Sequence, residues 1–292
     1  MPARLLPFSA HSFHGLLLDF LKAREAQRCT PATLRFYRFA LAPFAEWAEA
    51  RHLSPASLAA GDVDDFLLER AASGVSASTA HAHARSVRAM MRFAEERGTI
   101  DHAPKLKMPR VPKPRPAVLS LDDFRKLLGA CRSPRDRALL LLLADSGVRR
   151  AEAAALRWRD VDLASGRLRV VEGKGRKDRM AVVGPATRAA LRELRETNGS
   201  EGSQAVFGLT AWGVGEVFDR LGRRAGIRAS PHMVRRFFAV GWLRNGGDLR
   251  SLQLLLGHQS ISTTERYLAL ADDDLVEAHG KHSPLGSLSL ST

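Results

Sequence analysis

Residues 230–267 read SPHMVRRFFAVGWLRNGGDLRSLQLLLGHQSISTTERY. Ser230 followed by Pro231 is a helix start: a side-chain cap, then a residue whose missing N–H costs nothing in the first turn. His232 and Arg235 stand three apart and so share one face of that helix. Their neighbours Val234, Phe237, Phe238 and Val240 predict that the helix is largely buried. A histidine and an arginine facing inward need acceptors or a ligand, because an unpaired buried charge is costly. A structural pairing with a carboxylate is one answer and a bound anion is another. Further on, His258 follows a glycine, and Tyr267 follows Thr263 and Thr264, which are expected to cap a short helix. Tyr267 is one of only two tyrosines in 292 residues. Taken alone, it reads as a core aromatic.

Working back from this stretch, the preceding residues are also mostly helical. SPRDRALLLLLADSG, residues 133–147, predicts a mostly buried helix stopped by Gly147. GRLRVVEGKGRKDRMAVVG, residues 166–184, predicts two short strands around a glycine-containing turn. In that turn Lys174 lies between two glycines. Such a lysine is either a turn residue or a side chain presented to a ligand, and the spacing is not that of a phosphate-binding P-loop. SGVRRAE, residues 146–152, places Arg149 just after a glycine and three residues before Glu152; alone it reads as an exposed arginine at a helix start. Thr210 is a further candidate cap. The fold class is therefore mainly α with a small antiparallel β-sheet, an α+β arrangement.

The first third of the chain is wholly helical in pattern. Thr30 and Pro31 open a helix in which Leu34, Tyr37, Leu41, Phe44 and Trp47 keep helical spacing, which makes Tyr37 a core residue. Further helices fit residues 11–28, 62–72 and 76–97, and Arg35, Arg38, Arg85, Arg88 and Arg92 give the bundle a basic surface. Between the two parts runs DHAPKLKMPRVPKPRP, residues 101–116, with five prolines among its lysines and arginines. Proline removes backbone donors and disfavours helix at the residue before it, so an extended linker is expected here.

The chain carries 45 Lys and Arg against 31 Asp and Glu, a formal net charge of +14 spread along its length. That balance points to a polyanionic partner, nucleic acid above all. Two cysteines, Cys29 and Cys131, without ligand-like spacing predict a reducing compartment and no structural zinc. The longest apolar run, residues 138–144, is too short to span a bilayer, and a cytoplasmic protein is expected.

Jointly, the polar residues of the second part acquire a common task. Arg149, Lys174, His232, Arg235, His258 and Tyr267, without a concentrated acidic cluster, are the parts needed to attack a phosphodiester with neither metal nor cofactor. Arginine forks match the nonbridging oxygens of a phosphoryl transition state. Removing one such preorganised donor costs roughly 3–4 kcal/mol of barrier. Tyrosine, with an ordinary pKa of about 10, needs surrounding positive charge or a base to become a nucleophile. A lysine can protonate the leaving alkoxide.

In order and spacing these residues resemble the tyrosine recombinases, the phage-integrase family, and most of all its Xer-type members. SGVRRAE is similar to the family's first-arginine box, residues 230–267 to its second box, and GKGRKDR to its lysine hairpin. The resemblance implies a helical core-binding domain over residues 1–103, a linker over 104–116, and a catalytic domain with a C-terminal tail over 117–292. It implies that Arg149 and Arg235 bind the scissile phosphate and that His258 donates to the same oxygens. By the same resemblance Lys174 is the general acid, His232 assists proton transfer, and Tyr267 forms a 3′-phosphotyrosyl intermediate. Glu152, Gly147 and Gly257 would support this arrangement. The implied partners are double-stranded DNA and other recombinase protomers, in a homo- or hetero-tetramer on two sites, each passing a tail such as DDDLVEAHGKHSPLG to a neighbour. Arg236, Val234 and Ala151 depart from the common residues of the family. Two other readings are a DNA-binding protein of the same fold that does not cut, and an enzyme of the type IB topoisomerase kind.

Overall fold

The computed structural model describes residues 12–112, 116–171, 178–199, 201–271 and 279. The chain divides into two compact units, Met1–Pro114 and Arg115–Thr292.

The first unit is a four-helix arrangement: α1 (Phe13–Ala26), α2 (Pro31–Ala50), α3 (Ala60–Ala72) and α4 (Ala77–Glu96). Ser12, Thr30 and Ser76 cap three of these starts through side-chain oxygens that accept main-chain N–H groups. The core is aromatic. Phe44 meets Phe13 and Phe66 edge to face, each at 5.2 Å, and Phe20 meets Tyr37 at 5.0 Å; Tyr37 is half-buried and packs against this core rather than inside it. Pro43 lies inside α2, where it removes one ladder hydrogen bond. The adjoining Ala40 carbonyl accepts from His83 Nδ1 on α4 at 2.6 Å. Residues 102–112 take no regular structure. They are not a free tether, however: Leu106 and Met108 pack on the core of the first unit, and the Pro109 carbonyl bonds to His81.

The second unit is built around α6 (Pro134–Ser146), whose Leu139, Leu140, Leu142 and Leu143 are fully buried. A helix with a buried leucine run belongs at the centre of a domain, and α6 packs against both α8 (Pro185–Asn198) and α10 (Pro231–Arg244). It ends at Gly147, in the left-handed conformation at φ 60°. A Cβ at Gly147 would stand 2.4 Å from a Phe238 ring carbon, so that position requires glycine twice over. Around this axis lie α5 (Leu121–Gly129), α7 (Arg150–Ala155), α9 (Ala211–Ala225), α11 (Leu249–Leu256) and α12 (Ile261–Ala271).

The sheet has three antiparallel strands in the order β1 (Val161–Asp162), β2 (Arg167–Val170), β3 (Arg179–Val182). Two were expected; β1 is only two residues long, too short to show an alternating pattern in sequence. Leu168 pairs with Ala181 and Val170 with Arg179. Leu168, Val170 and Ala181 face the core, as the two-residue period demands. The turn joining β2 to β3, with Lys174, lies outside the described residues, as does most of the expected tail. Among the described residues no helix is long and apolar enough to cross a membrane.

Candidate active site

Arg149, His232, Arg235, His258 and Tyr267, widely separated in sequence, line one cleft of about 570 Å³ in the second unit. Lys174 lies outside the described residues.

Arg149 stands two residues past the left-handed Gly147, at the N-cap of α7. Its main-chain N–H donates to Glu152 Oε2 at 2.7 Å and its Nη1 to Oε1 at 2.7 Å, so Glu152 fixes both backbone and side chain. Burial pushes the Glu152 carboxyl up. The Arg149 N–H, the Arg179 charge and the hydrogen bonds from both arginines outweigh that and hold it below the ordinary carboxylate range. Glu152 is therefore an anion at neutral pH.

Arg235 is 4 % exposed and its partners are not carboxylates. Nη1 donates to the Gly147 carbonyl, and Nη2 to the Leu256 carbonyl at 2.8 Å and to His258 Nε2 at 3.0 Å. Burial, then repulsion from Arg149, pulls its pKa down to about 10, which still leaves it charged at neutral pH. Of the pair expected to face inward, only Arg235 does. His232, in the first turn of α10, is exposed on the wall of the cleft. Partial shielding of its ring, then the charges of Arg236 and Arg235, hold its pKa below the usual histidine value.

The end of α11 joins these parts. A helix leaves its last carbonyls without intrahelical donors, and three successive ones here accept arginines. Leu255 takes Arg179 Nε at 3.1 Å, Leu256 takes Arg235 Nη2, and Gly257 takes Arg149 Nη2 at 3.1 Å. The negative end of the helix dipole favours cations at this place. Gly257, at φ 64°, turns the chain sharply after α11, and His258 follows.

Arginine only donates, so His258 Nε2 is the acceptor toward Arg235 and the ring proton sits on Nδ1, 2.9 Å from Thr264 Oγ1. Burial, then the charges of Arg235, Arg149 and Arg179, push His258 down to about 4. It is neutral at pH 7. Thr263 and Thr264 do not cap α12, which begins at Ile261. Instead Thr264 is fully buried inside the helix, one turn before Tyr267 on the same face, and orients the histidine.

Tyr267 is 7 % exposed, and its ring stacks on His258 with centroids 6.2 Å apart and planes at 14°. Tyr267 lines the cleft together with Arg235 and Arg236. The residue is thus packed and lines the cleft at once. Arg179 and Thr264 are the positions that the sequence reading missed. Arg179 had a signal: it shares the inward face of β3 with Ala181, where a charge is unexpected. Among the described residues no group of three or more His, Cys, Asp or Glu is placed to hold a metal ion.

The chain belongs to the phage integrase family, which it matches over residues 117–274, with the N-terminal SAM-like domain of phage integrases matched over residues 16–102. Its relatives make it a Xer-type tyrosine recombinase, an enzyme of site-specific recombination by tyrosine cut-and-rejoin chemistry. Tyrosine recombinase XerC of Xanthomonas axonopodis pv. citri (strain 306) is 35 % identical, covering 91 % of this chain and 95 % of that protein. Tyrosine recombinase XerA of Thermococcus kodakarensis is 30 % identical, covering 86 % and 89 %. Among solved structures, XerA recombinase is 26 % identical with a TM-score of 0.53, covering 93 % of this chain and 99 % of that one. A lambda integrase tetramer bound to a Holliday junction, 18 % identical with a TM-score of 0.73 over 90 % of this chain and 84 % of that one, shares the fold.

Proposed function

We propose that this cleft cuts and rejoins double-stranded DNA with its own tyrosine, each protomer supplying the complete set of residues. The observation that carries the reading is the position of Tyr267, stacked on His258 in the cleft that Arg149 and Arg235 line. Arg149 and Arg235 hold the nonbridging oxygens of the scissile phosphate. The Tyr267 oxygen attacks phosphorus, its proton passing toward His232, and the bond from phosphorus to the 5′-oxygen breaks. Lys174 protonates the departing oxygen, leaving a 3′-phosphotyrosyl link and a free 5′-hydroxyl. A 5′-hydroxyl from a partner strand then attacks phosphorus, giving its proton to Lys174, as the bond from phosphorus to the Tyr267 oxygen breaks and His232 returns the first proton to Tyr267. The phosphodiester energy is kept in the covalent intermediate, so the exchange needs no nucleotide.

His258 has to change its bonding for its part. Its Nε2 accepts from Arg235 in the free protein; a bound phosphate draws Arg235 toward its own oxygens and, being anionic, raises the histidine pKa, which turns Nε2 into a donor. We further propose a tetramer on two DNA sites, a helical DNA-binding domain over residues 1–103 joined by residues 104–116 to a catalytic domain over 117–292, and action in the cytoplasm. The net charge of +14 and the lambda integrase tetramer on a Holliday junction support the DNA and assembly readings.

The test is to incubate the protein with nicked suicide duplexes carrying candidate sites, in EDTA, and to look for a covalent complex on a denaturing gel. A 3′-linked adduct that disappears in Tyr267→Phe is expected. Binding of the duplex without any adduct would support the DNA-binding protein that does not cut.

A further inference from the structure

We infer that Arg179 is a positioning residue for the phosphate-binding arginine Arg149, acting through the carboxylate they share; this rests on the reading of the cleft proposed above. Arg179 opens β3, with its side chain 10 % exposed and directed toward the end of α11. Its Nε is tied to the Leu255 carbonyl and its Nη2 reaches Glu152 Oε2 at 2.8 Å. That same Oε2 accepts the Arg149 N–H, while Oε1 accepts Arg149 Nη1. Glu152 is thus held from one side by a guanidinium that is itself anchored to main chain, and it holds Arg149 from the other.

Packing alone does not account for this arrangement. Arg179 Nη1 is buried without a hydrogen-bond partner among the described residues, and buried charge pairs are seldom more stable than apolar residues of the same volume. Glycine at 257 fits the same account, since a Cβ there would lie 2.6 Å from Arg179 Cδ and displace the side chain from its two anchors. Charge acts in the same direction. Without Arg179 the one carboxylate is left to Arg149 alone, and the phosphate-binding guanidinium is more fully neutralised. Misplacing a reacting or binding group by about 1 Å costs on the order of 100-fold in rate.

The experiment compares wild type, Arg179→Met, Arg179→Lys and Arg149→Ala in the full-length chain. Each is given a nicked duplex on which wild type forms the adduct, the scissile linkage being either a phosphodiester or a methylphosphonate. The methylphosphonate lacks the anionic nonbridging oxygen that Arg149 neutralises. On phosphodiester, Arg179→Met should form adduct roughly 30- to 100-fold more slowly, with duplex binding unchanged in a gel shift. The deficit should shrink to below about threefold on methylphosphonate, in parallel with Arg149→Ala. Arg179→Lys, which keeps the charge but not the fork, should fall between; it also serves the comparison if Arg179→Met does not fold. An equal deficit on both linkages would make Arg179 a purely structural residue, and no deficit on phosphodiester would remove it from the site altogether. Failure of wild type to form an adduct on any duplex that it binds, when the substrate is first chosen, is a different result, and would overturn the reading of the cleft itself.

Discussion

Arg235 meets three acceptors with two of its guanidinium nitrogens, and a lysine has no planar fork with which to do so. Arg235→Lys is expected to lower adduct formation by about 100- to 1000-fold, with much less effect on duplex affinity, as read by quenched time courses beside gel shifts. His258 gives a pH prediction of definite sign. Its pKa is about 4 when folded against an ordinary 6.5, so between those values the unfolded chain binds the proton and the native state does not. The stability it contributes is complete above 6.5 and is lost as pH falls toward 4. His232, also lowered, has the same sign. The melting temperature should therefore fall from pH 6.5 to 4.5, and His258→Gln should flatten that fall without abolishing it; an unchanged slope would refute the assignment. At this scale the sequence was legible where residue type and order alone singled out Arg149, Arg235, His258 and Tyr267, which the fold brings to one cleft. It was not legible for Thr264, a threonine whose role depends on the ring that comes to lie beside it.

Among the elements, α11 and the turn after it decide how the cleft is assembled. Gly257→Ala forces a left-handed backbone onto a residue with a Cβ and drives that Cβ into Arg179, whose two anchors keep it from yielding. A loss of about 1–3 kcal/mol of stability is expected from the backbone alone. Adduct formation should fall as well, and chemical denaturation beside the cleavage assay separates the two effects. The buried α6 was legible from its apolar run and terminal glycine, and α10 from its cap and proline. The start of α12 was not: threonines commonly cap helices, and nothing local distinguishes a capping threonine from one buried inside a helix against a histidine. β1 was invisible for want of length. The extended character of residues 102–112 followed from their prolines, whereas the packing of Leu106 and Met108 on the first unit depends on a surface that only the folded helices create.

For the molecule as a whole, charge sets the terms of binding. A chain of net charge +14 that neutralises several phosphates should lose duplex affinity along a straight line of log K against log salt, with a slope of about −0.9 for each phosphate contacted. A flat dependence in a fluorescence anisotropy titration would contradict a DNA-binding role. The fold class and the division into a helical first part and a mixed second part were legible, because both rest on periodicity and proline content. The mutual arrangement of the site residues was not, since it arises where segments distant in sequence meet. The three arginines at the end of α11 are received by oxygen atoms that every amino acid carries. Substitutions along that helix can therefore alter its side chains freely, as far as the clamp is concerned, while inserting or deleting a single residue would present the wrong atoms to all three arginines. Descendants of this chain should tolerate changes of spelling in α11 far better than changes of length.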